Sequence, residues 1–140
     1  MSKKVKEVMS SNIAFVTTKD SIVKAAQLMN YYNIGSVPVL DKSFTILGML
    51  TDRDIVIRSV ALGGDLSNIQ IGQIMTTNIV TATPDMTLDQ AGELMAANKI
   101  RRLPVIEHDT VVGIVSLGDI ALVSEYTDVV GKALMKISKK

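Results

Sequence analysis
The chain of 140 residues is 47% hydrophobic, a composition that allows one compact fold with a substantial core and argues against disorder. Its 15 lysine and arginine residues nearly balance 14 aspartates and glutamates, so no global field would draw the protein to nucleic acid or an anionic membrane. Cysteine is absent, which excludes disulfides, thiolate zinc sites and cysteine nucleophiles.

The chain opens with a short basic segment, MSKKVKEVMS, that lacks the apolar core of a signal peptide. No later stretch reaches the roughly 18 consecutive apolar residues that a membrane span requires. Together with the missing cysteines, these features predict a cytoplasmic protein with no membrane partner.

The first helix is predicted directly after Ser21. Apolar residues then recur at the spacing of one helical face, namely Ile22, Ala25, Ala26 and Met29. Two runs rich in valine and isoleucine follow, SVPVL and TILGMLT, and the polar turn between them indicates a pair of strands. Pro38 places the first run at an edge or an irregular position, because proline cannot donate to a strand ladder. A second helix is predicted to start near Asp54, and the glycines in RSVALGGDLSNIQ indicate a connection after it.

The same elements return in the second half of the chain. Thr87 forms a capping-box pattern with Gln90 and precedes an apolar helical face of Leu88, Ala91, Leu94 and Met95. The runs RLPVI and VVGIVS predict two further strands. A last, continuous helix is predicted from Asp119, with apolar residues at helical spacing at Val123, Tyr126, Val130, Leu134 and Ile137.

The two halves are copies of one unit. A shift of 66 residues aligns ten identities, which are Met9/Met75, Asn12/Asn78, Ile13/Ile79, Thr17/Thr83, Ala25/Ala91, Leu28/Leu94, Met29/Met95, Ile34/Ile100, Pro38/Pro104 and Val39/Val105. After one residue is lost in the turn, a shift of 65 aligns GMLTDRDI with GIVSLGDI. A solenoid is a poor description, because such arrays usually need three or more repeats to cover their apolar faces.

These elements predict an α/β (α+β) fold built from two repeats, each ordered strand, helix, strand, strand, helix. We place repeat 1 at residues 1–62, a linker at residues 63–70 and repeat 2, with its C-terminal helix, at residues 71–140. Two such copies can cover each other's apolar faces.

Each unit resembles a CBS domain, the module named after cystathionine beta-synthase, and the chain resembles a tandem CBS pair, or Bateman module. The resemblance covers roughly residues 5–125 and rests on the openings VMSSNI and IMTTNI, the helix ends AAQLM and AGELM, the strands NIGSVPVL and KIRRLPVI, and GMLTDRD with GIVSLGD. The order of these motifs, repeated twice, is more specific than any one of them.

The resemblance implies that the repeats pack through their sheets about a pseudo-twofold axis and leave two clefts. In relatives such clefts bind adenosyl compounds such as AMP, ADP, ATP or S-adenosylmethionine. It also implies a homodimer of pairs, and a sensor that acts on a regulated protein rather than an enzyme.

Two residue pairs at the ends of the second strands fit a nucleotide. Asp54 and Asp119 match the family's ribose-binding aspartate, since one carboxylate can accept hydrogen bonds from two hydroxyls. Thr51 and Ser116 lie three residues earlier, where hydroxyls and free N–H groups can meet a phosphate. The alternative for both pairs is helix capping, for which serine, threonine and aspartate are preferred.

Basic residues distinguish the two repeats. Arg101 and Arg102 stand where repeat 1 has Gly35 and Ser36, so one cleft is predicted to carry arginine for phosphate. Side chains alternate along a strand, so one of the two arginines is expected to be solvated or salt-bridged instead. Arg53 is a further phosphate candidate beside Asp54, whereas Asp52 has no repeat counterpart and is predicted to be a surface residue.

The adenine walls follow from the resemblance alone. In the family's crossed arrangement, Ile13 and Ala14 serve the cleft of Ser116 and Asp119. Ile79 and Val80 serve the cleft of Thr51 and Asp54. The alternative for all four is a place in the core.

An enzyme or a metal site has little support in the sequence. His108, the only histidine, is predicted to lie in an exposed turn that supplies too few convergent ligands for a transition metal. We find no nucleophile with a base partner and no P-loop, and therefore predict no catalytic cofactor.

Two alternatives to an AMP, ADP or ATP sensor stay open. The ligand could be S-adenosylmethionine, NADH or a cyclic dinucleotide. The chain could also be a dimeric interaction scaffold with vestigial clefts. Its contact would then be the lysine-bearing C-terminal segment GKALMKISKK, although Lys132, Lys136, Lys139 and Lys140 also suit a helix C-terminus.

Overall fold
The computed structural model describes residues 3–139, so Lys140 of the C-terminal segment lies outside the described residues. The chain divides into two compact units. One comprises residues 14–79 and is called the continuous unit below. The other combines residues 3–13 with 80–139 and is called the split unit. No helix within residues 3–139 has the length and hydropathy needed to cross a bilayer.

The continuous unit contains the helices and strands predicted for the first half of the chain. They are α1 (Ile22–Tyr32), β1 (Ser36–Leu40), β2 (Ile46–Thr51) and α2 (Asp52–Arg58), and the unit also contains a short helix that was not predicted, α3 (Ile71–Ile74). Helix α1 starts as predicted, because the Ser21 hydroxyl accepts the N–H of Lys24 at 3.0 Å. Short 3-10 turns at Val60–Leu62 and Leu66–Asn68 form much of the connection to α3.

The split unit contains the elements of the second half. They are α4 (Leu88–Asn98), β3 (Arg102–Glu107), β4 (Thr110–Ser116), α5 (Leu117–Ala121) and α6 (Thr127–Ser138). The predicted capping box at the start of α4 is confirmed. Gln90 donates its N–H to the Thr87 hydroxyl, and the Gln90 side chain accepts the N–H of Thr87.

Each unit is built on one antiparallel hairpin, β1 with β2 and β3 with β4. The predicted opening strand of each repeat is reduced to a single parallel bridge, at Val16 against Val39 and at Ala82 against Val105. With that strand counted, the predicted order of strand, helix, strand, strand, helix and the α/β class are confirmed.

Pro38 explains why the parallel pairing is so short. Val16 donates to the Pro38 carbonyl at 3.1 Å and accepts from Leu40 at 2.9 Å. The next ladder bond toward Ala14 would need an N–H from Pro38, which has none. A register shift between Val39 and Leu40 follows, so of the two predicted alternatives an irregular position describes Pro38.

The opening segments of the two repeats, VMSSNI and IMTTNI, each pair with the hairpin of the other repeat. Ser10 bridges Ile114 in the split unit, and Thr76 bridges Met49 in the continuous unit. The units therefore change along the chain after residues 13 and 79, at the ends of the openings VMSSNI and IMTTNI. The predicted repeat bounds, at residues 62 and 71, divide the sequence and not the compact units. They stay a prediction.

Two glycines permit this close pairing. A Cβ atom on Gly48 would lie 2.7 Å from the Thr76 carbonyl oxygen, and one on Gly113 would lie 2.9 Å from that of Ser10. Both distances are shorter than a side chain tolerates. Glycine at the matched positions therefore lets the opening segments lie against β2 and β4.

Each unit has its own apolar core. The core of the continuous unit centres on residues of α1 and its hairpin, with Ile22, Ala25, Val37, Val39 and Leu50 fully buried. In the split unit the matched residues are again buried, namely Leu88, Ala91, Leu103, Val105 and Val115. The apolar periodicity thus identified most of each buried face, but Ala26, predicted on the apolar face of α1, is exposed, because it lies beside the buried stripe of Ile22, Ala25 and Met29.

The prediction of one continuous last helix is wrong. Helix α5 ends at Ala121, Val123 has an extended backbone, and α6 begins at Thr127. The break lets α6 pack on α4, where a Cβ on Gly92 would overlap a methyl group of Val129. Tyr126 is buried between the two helical segments, and its hydroxyl accepts the N–H of Lys3 at 2.8 Å.

Candidate functional site
Thr51 and Asp54 form a reciprocal capping box at the start of α2. The Asp54 N–H donates to the Thr51 hydroxyl at 3.0 Å, and the Thr51 N–H donates to Oδ2 of Asp54 at 3.0 Å. Both residues lie where β2 runs directly into α2, which fixes their side chains at the end of the sheet. The helix-capping alternative weighed for this pair is therefore realised in the structure.

Ser116 and Asp119 form the same box at the start of α5. The Asp119 N–H donates to the Ser116 hydroxyl at 3.0 Å, and the Ser116 N–H donates to Oδ2 of Asp119 at 2.8 Å. The two units therefore contain the same capping box at matched positions.

Capping uses only part of the acceptor capacity of each aspartate. A carboxylate offers about four acceptor positions, and the Ser116 or Thr51 N–H occupies one of them. Asp119 is half-buried, and Oδ1 has no protein partner within residues 3–139. Capping and ribose binding can therefore coexist in the same side chain.

Arg58 is a neighbour of Asp54 that the motifs did not single out. Its Nε lies 3.7 Å from Oδ1 of Asp54, and its Nη1 donates to the Ile74 carbonyl at 3.2 Å. The spacing of four residues on one helix is the signal that could have found this pair. The matched residue beside Asp119 is Val123, so this partner exists in one unit alone.

Arg101 and Arg102 lie at the start of the split unit's hairpin and are both exposed. In the strand register Arg102 stands opposite Ser116, so the structure brings a predicted phosphate-binding arginine next to the capping box. Ser36 holds the matched position opposite Thr51. Within the described part of the chain, neither arginine has a carboxylate within 4.0 Å.

Asp52 is exposed, as predicted, but it lies close to the site. Its N–H donates to the Gly35 carbonyl at 2.9 Å, and its Oδ1 accepts the N–H of Arg53 at 2.8 Å. The exposed Arg53 side chain lies on the same first turn of α2. This turn therefore carries charges of both signs beside Thr51.

The four predicted adenine-wall residues are half-buried and divide into two kinds. Ala14 and Val80 pack against the cores of the continuous and split units respectively, whereas Ile13 and Ile79 belong to neither core cluster. Ile13 lies in the same unit as Ser116, and Ile79 lies in the same unit as Thr51. Their role as a wall for adenine stays a prediction.

Other features lie away from these residues. His108 and Asp109 have positive φ values in the two-residue turn between β3 and β4, which confirms the predicted exposed turn. No group of three histidine or carboxylate side chains suited to a metal occurs within residues 3–139. A shallow groove of about 530 Å³ runs along α4 past Thr83, Gln90 and Leu94, and contains none of the predicted nucleotide-binding residues.

The comparison with known families identifies the repeated unit. The family model of the CBS domain matches residues 5–60 and again residues 71–126. The chain belongs to the CBS-domain family. It is therefore a CBS pair, and such pairs are regulatory ligand-binding modules.

Individual relatives support this assignment. The CBS domain-containing protein YhcV of Bacillus subtilis (strain 168) is 40% identical over 134 residues, which cover 96% of this chain and 94% of that protein. The crystal structure of Hypoxic Response Protein I, with two coordinated zinc ions, is similar with a TM-score of 0.80 and 30% identity, covering 86% of this chain and 98% of the other.

A third similarity concerns a structure with adenosyl ligands. The CBS domain pair of protein MJ0100 was crystallised in complex with 5′-methylthioadenosine and S-adenosyl-L-methionine. It aligns with a TM-score of 0.78 and 29% identity, over 89% of this chain and 98% of that one. That CBS pair therefore holds adenosyl compounds.

Proposed function
We propose that this CBS pair is a regulatory module, not an enzyme, that binds an adenine nucleotide of the AMP, ADP or ATP type and signals its occupancy to a partner protein. The observation that carries the proposal is the capping box repeated in both units. In each box an aspartate at a strand-to-helix junction keeps acceptor positions suited to a ribose diol.

Phosphate recognition is assigned mainly to the split unit. Arg102 lies opposite Ser116 in the strand register, and Arg101 precedes it. A guanidinium group binds phosphate oxygens through two parallel N–H donors, a geometry that lysine cannot reproduce. Ile13 and Ile79, which are half-buried and outside the core clusters, are proposed to contact adenine together with Ala14 and Val80.

The binding half of the proposal is tested by calorimetric titration of AMP, ADP and ATP. Asp119→Ala is expected to weaken binding in the split unit, and Asp54→Ala is expected to weaken whatever binding the continuous unit shows, because each removes the acceptor for the ribose hydroxyls. Asp128→Ala is the matched control, since it removes an exposed carboxylate from the first turn of α6, outside both boxes. Unchanged affinity in both Asp119→Ala and Asp54→Ala would refute the assignment of the sites.

A thermal-shift series separates a sensor from a scaffold with vestigial clefts. A compound present at 100 times its dissociation constant stabilises the folded protein by about 2.7 kcal/mol. AMP, ADP, ATP, NADH, S-adenosylmethionine and a cyclic dinucleotide form the series. The proposal expects the largest shift from one of the first three, whereas no shift from any compound would favour the scaffold.

Signalling requires that the nucleotide bind one arrangement of the protein better than another. We therefore expect nucleotide to change amide hydrogen exchange in segments beyond the binding residues, and to change the affinity for the regulated partner. We also propose a homodimer of CBS pairs, which sedimentation or light scattering would detect. Exchange that changes only at the binding residues would contradict the signalling half.

A further inference from the structure
The two units differ in charge at four matched positions around their capping boxes. The split unit has Arg101, Arg102, Leu117 and Gly118, which carry two positive charges and no negative one. The continuous unit has Gly35, Ser36, Asp52 and Arg53, which carry one charge of each sign. The repeats therefore share the same capping box and differ in the charge of the residues around it.

Backbone hydrogen bonds show that these positions correspond in space as well as in sequence. Asp52 donates its N–H to the Gly35 carbonyl at 2.9 Å, and Leu117 donates its N–H to the Arg101 carbonyl at 2.8 Å. The same backbone hydrogen bond thus joins Gly35 to Asp52 in one unit and Arg101 to Leu117 in the other.

The Asp52 carboxylate lies where a side chain on residue 35 would start. Its Oδ2 would be 3.0 Å from a Cβ atom on Gly35. Its Oδ1 accepts the N–H of Arg53 at 2.8 Å, so this N–H already has a carboxylate as its acceptor. In the split unit the matched Leu117 is apolar and only 4% exposed.

We propose that Asp52 is a specificity-determining residue that disfavours phosphate in the continuous unit. That unit then takes an adenosyl ligand without phosphate, whereas the split unit takes the nucleotide through Arg101 or Arg102. Arg53 offsets the charge of Asp52 and leaves no net positive charge for a phosphate chain. This inference rests on the proposed function and adds the ligand class of each unit.

Calorimetry with two probes tests the inference on the full chain. Adenosine is expected to bind at two sites per chain and ATP at one. Asp54→Ala should then remove an adenosine site and spare the ATP site, while Asp119→Ala should remove the ATP site. These two variants assign each site to its unit.

Substitutions at position 52 test the charge itself. Asp52→Asn keeps an acceptor for the Arg53 N–H and removes the charge, and Asp52→Leu copies the split unit. Both are expected to raise the affinity of the continuous unit for ATP by about tenfold, the effect of removing one like-charge contact near the surface. Affinity for adenosine should change little. Adding Gly35→Arg to Asp52→Leu should raise ATP binding further.

The outcomes distinguish this inference from the function on which it rests. Two ATP sites of similar affinity in the unmodified protein, or no gain in Asp52→Asn and Asp52→Leu, would overturn the inference and leave nucleotide sensing intact. No heat from either probe would refute nucleotide sensing, and the assignment of ligand classes with it.

Discussion
Oδ1 of Asp54 lies 3.7 Å from Nε of Arg58, one helical turn further along α2. The matched aspartate of the split unit, Asp119, has Val123 in that place and gains no such partner. Two aspartates that occupy the same position in the repeat are thus set in different electrostatic surroundings. A ligand that reaches Asp54 competes with a guanidinium group, whereas one that reaches Asp119 does not.

Replacing Arg58 measures the combined strength of its pair with Asp54 and its hydrogen bond to the Ile74 carbonyl. The Arg58 side chain is 52% exposed, so Arg58→Ala is expected to lower the free energy of unfolding by about 1 kcal/mol or less. Urea unfolding without nucleotide gives the value. Arg53→Ala, which removes an exposed arginine from the same helix, should change stability by less. A loss well above about 2 kcal/mol in Arg58→Ala would mean that the pair behaves as a buried one.

The capping hydroxyls should contribute to stability in both units. Thr51→Ala and Ser116→Ala each remove the acceptor for an aspartate N–H, and each is expected to cost about 1 kcal/mol. Thr51→Ser and Ser116→Thr retain a hydroxyl and should stay close to the unmodified protein. Chemical unfolding of the four variants without ligand makes the comparison. Equal stability of the alanine and hydroxyl variants would show that the boxes are not stabilising.

The matched glycines of β2 and β4 should not tolerate a side chain. In Gly48→Ala and Gly113→Ala the new Cβ meets a backbone carbonyl, which can move away only if the pairing shifts. We expect each to cost about 1–3 kcal/mol, the range of overpacked sites. Gly131→Ala in α6 is the control, because nothing lies within 4 Å of its Cβ and alanine favours a helix. In thermal unfolding, Gly131→Ala should have a higher Tm than the unmodified protein.

Acid should remove a local stabilisation at Asp20. Partial burial opposes ionisation, but the Thr17 N–H and the Lys24 ammonium together hold the pKa of Asp20 below its ordinary value of 3.8. A carboxyl whose pKa is lower in the folded state stabilises it above the unfolded pKa, and loses that effect as pH falls through the folded pKa.

The unmodified protein should therefore exceed Asp20→Asn in stability at neutral pH, with a difference that shrinks below pH 3.8. Chemical unfolding at about pH 5 and at about pH 3 measures this difference. If the stability difference were the same at both pH values, the effect of Asp20→Asn would not come from the loss of the carboxylate charge.

Local sequence features were sufficient to predict most elements of the fold. Ser21 and Thr87 cap the helices that follow them, and the valine-rich runs form β1 to β4 within about a residue of the expected bounds. The break before α6 could not be found in this way, because Val123, Tyr126 and Val130 continue the helical spacing across it. Burial of Tyr126 in the core of the split unit is a tertiary effect that leaves the period unchanged.

The site could be predicted only in part for the same reason. Repetition placed Thr51, Asp54, Ser116 and Asp119 at two matched junctions, which the structure confirms. Asp52 was correctly predicted to be exposed, but its position over Gly35 depends on how β1 approaches the start of α2. Such an approach depends on the packing of distant segments and leaves no periodic signal.

The exchange of opening segments has a consequence for a single copy of the repeat. A fragment of residues 14–79 retains both pairing partners of its hairpin, Val16 and Thr76. A fragment cut after residue 62 would leave β2 without Thr76, while its own Ser10 would have no β4 to pair with. The segment that repeats in the sequence therefore has different bounds from the segment that folds as a compact unit. A single copy of the repeat would therefore lack the bridge that its hairpin makes to the opening segment of the other copy.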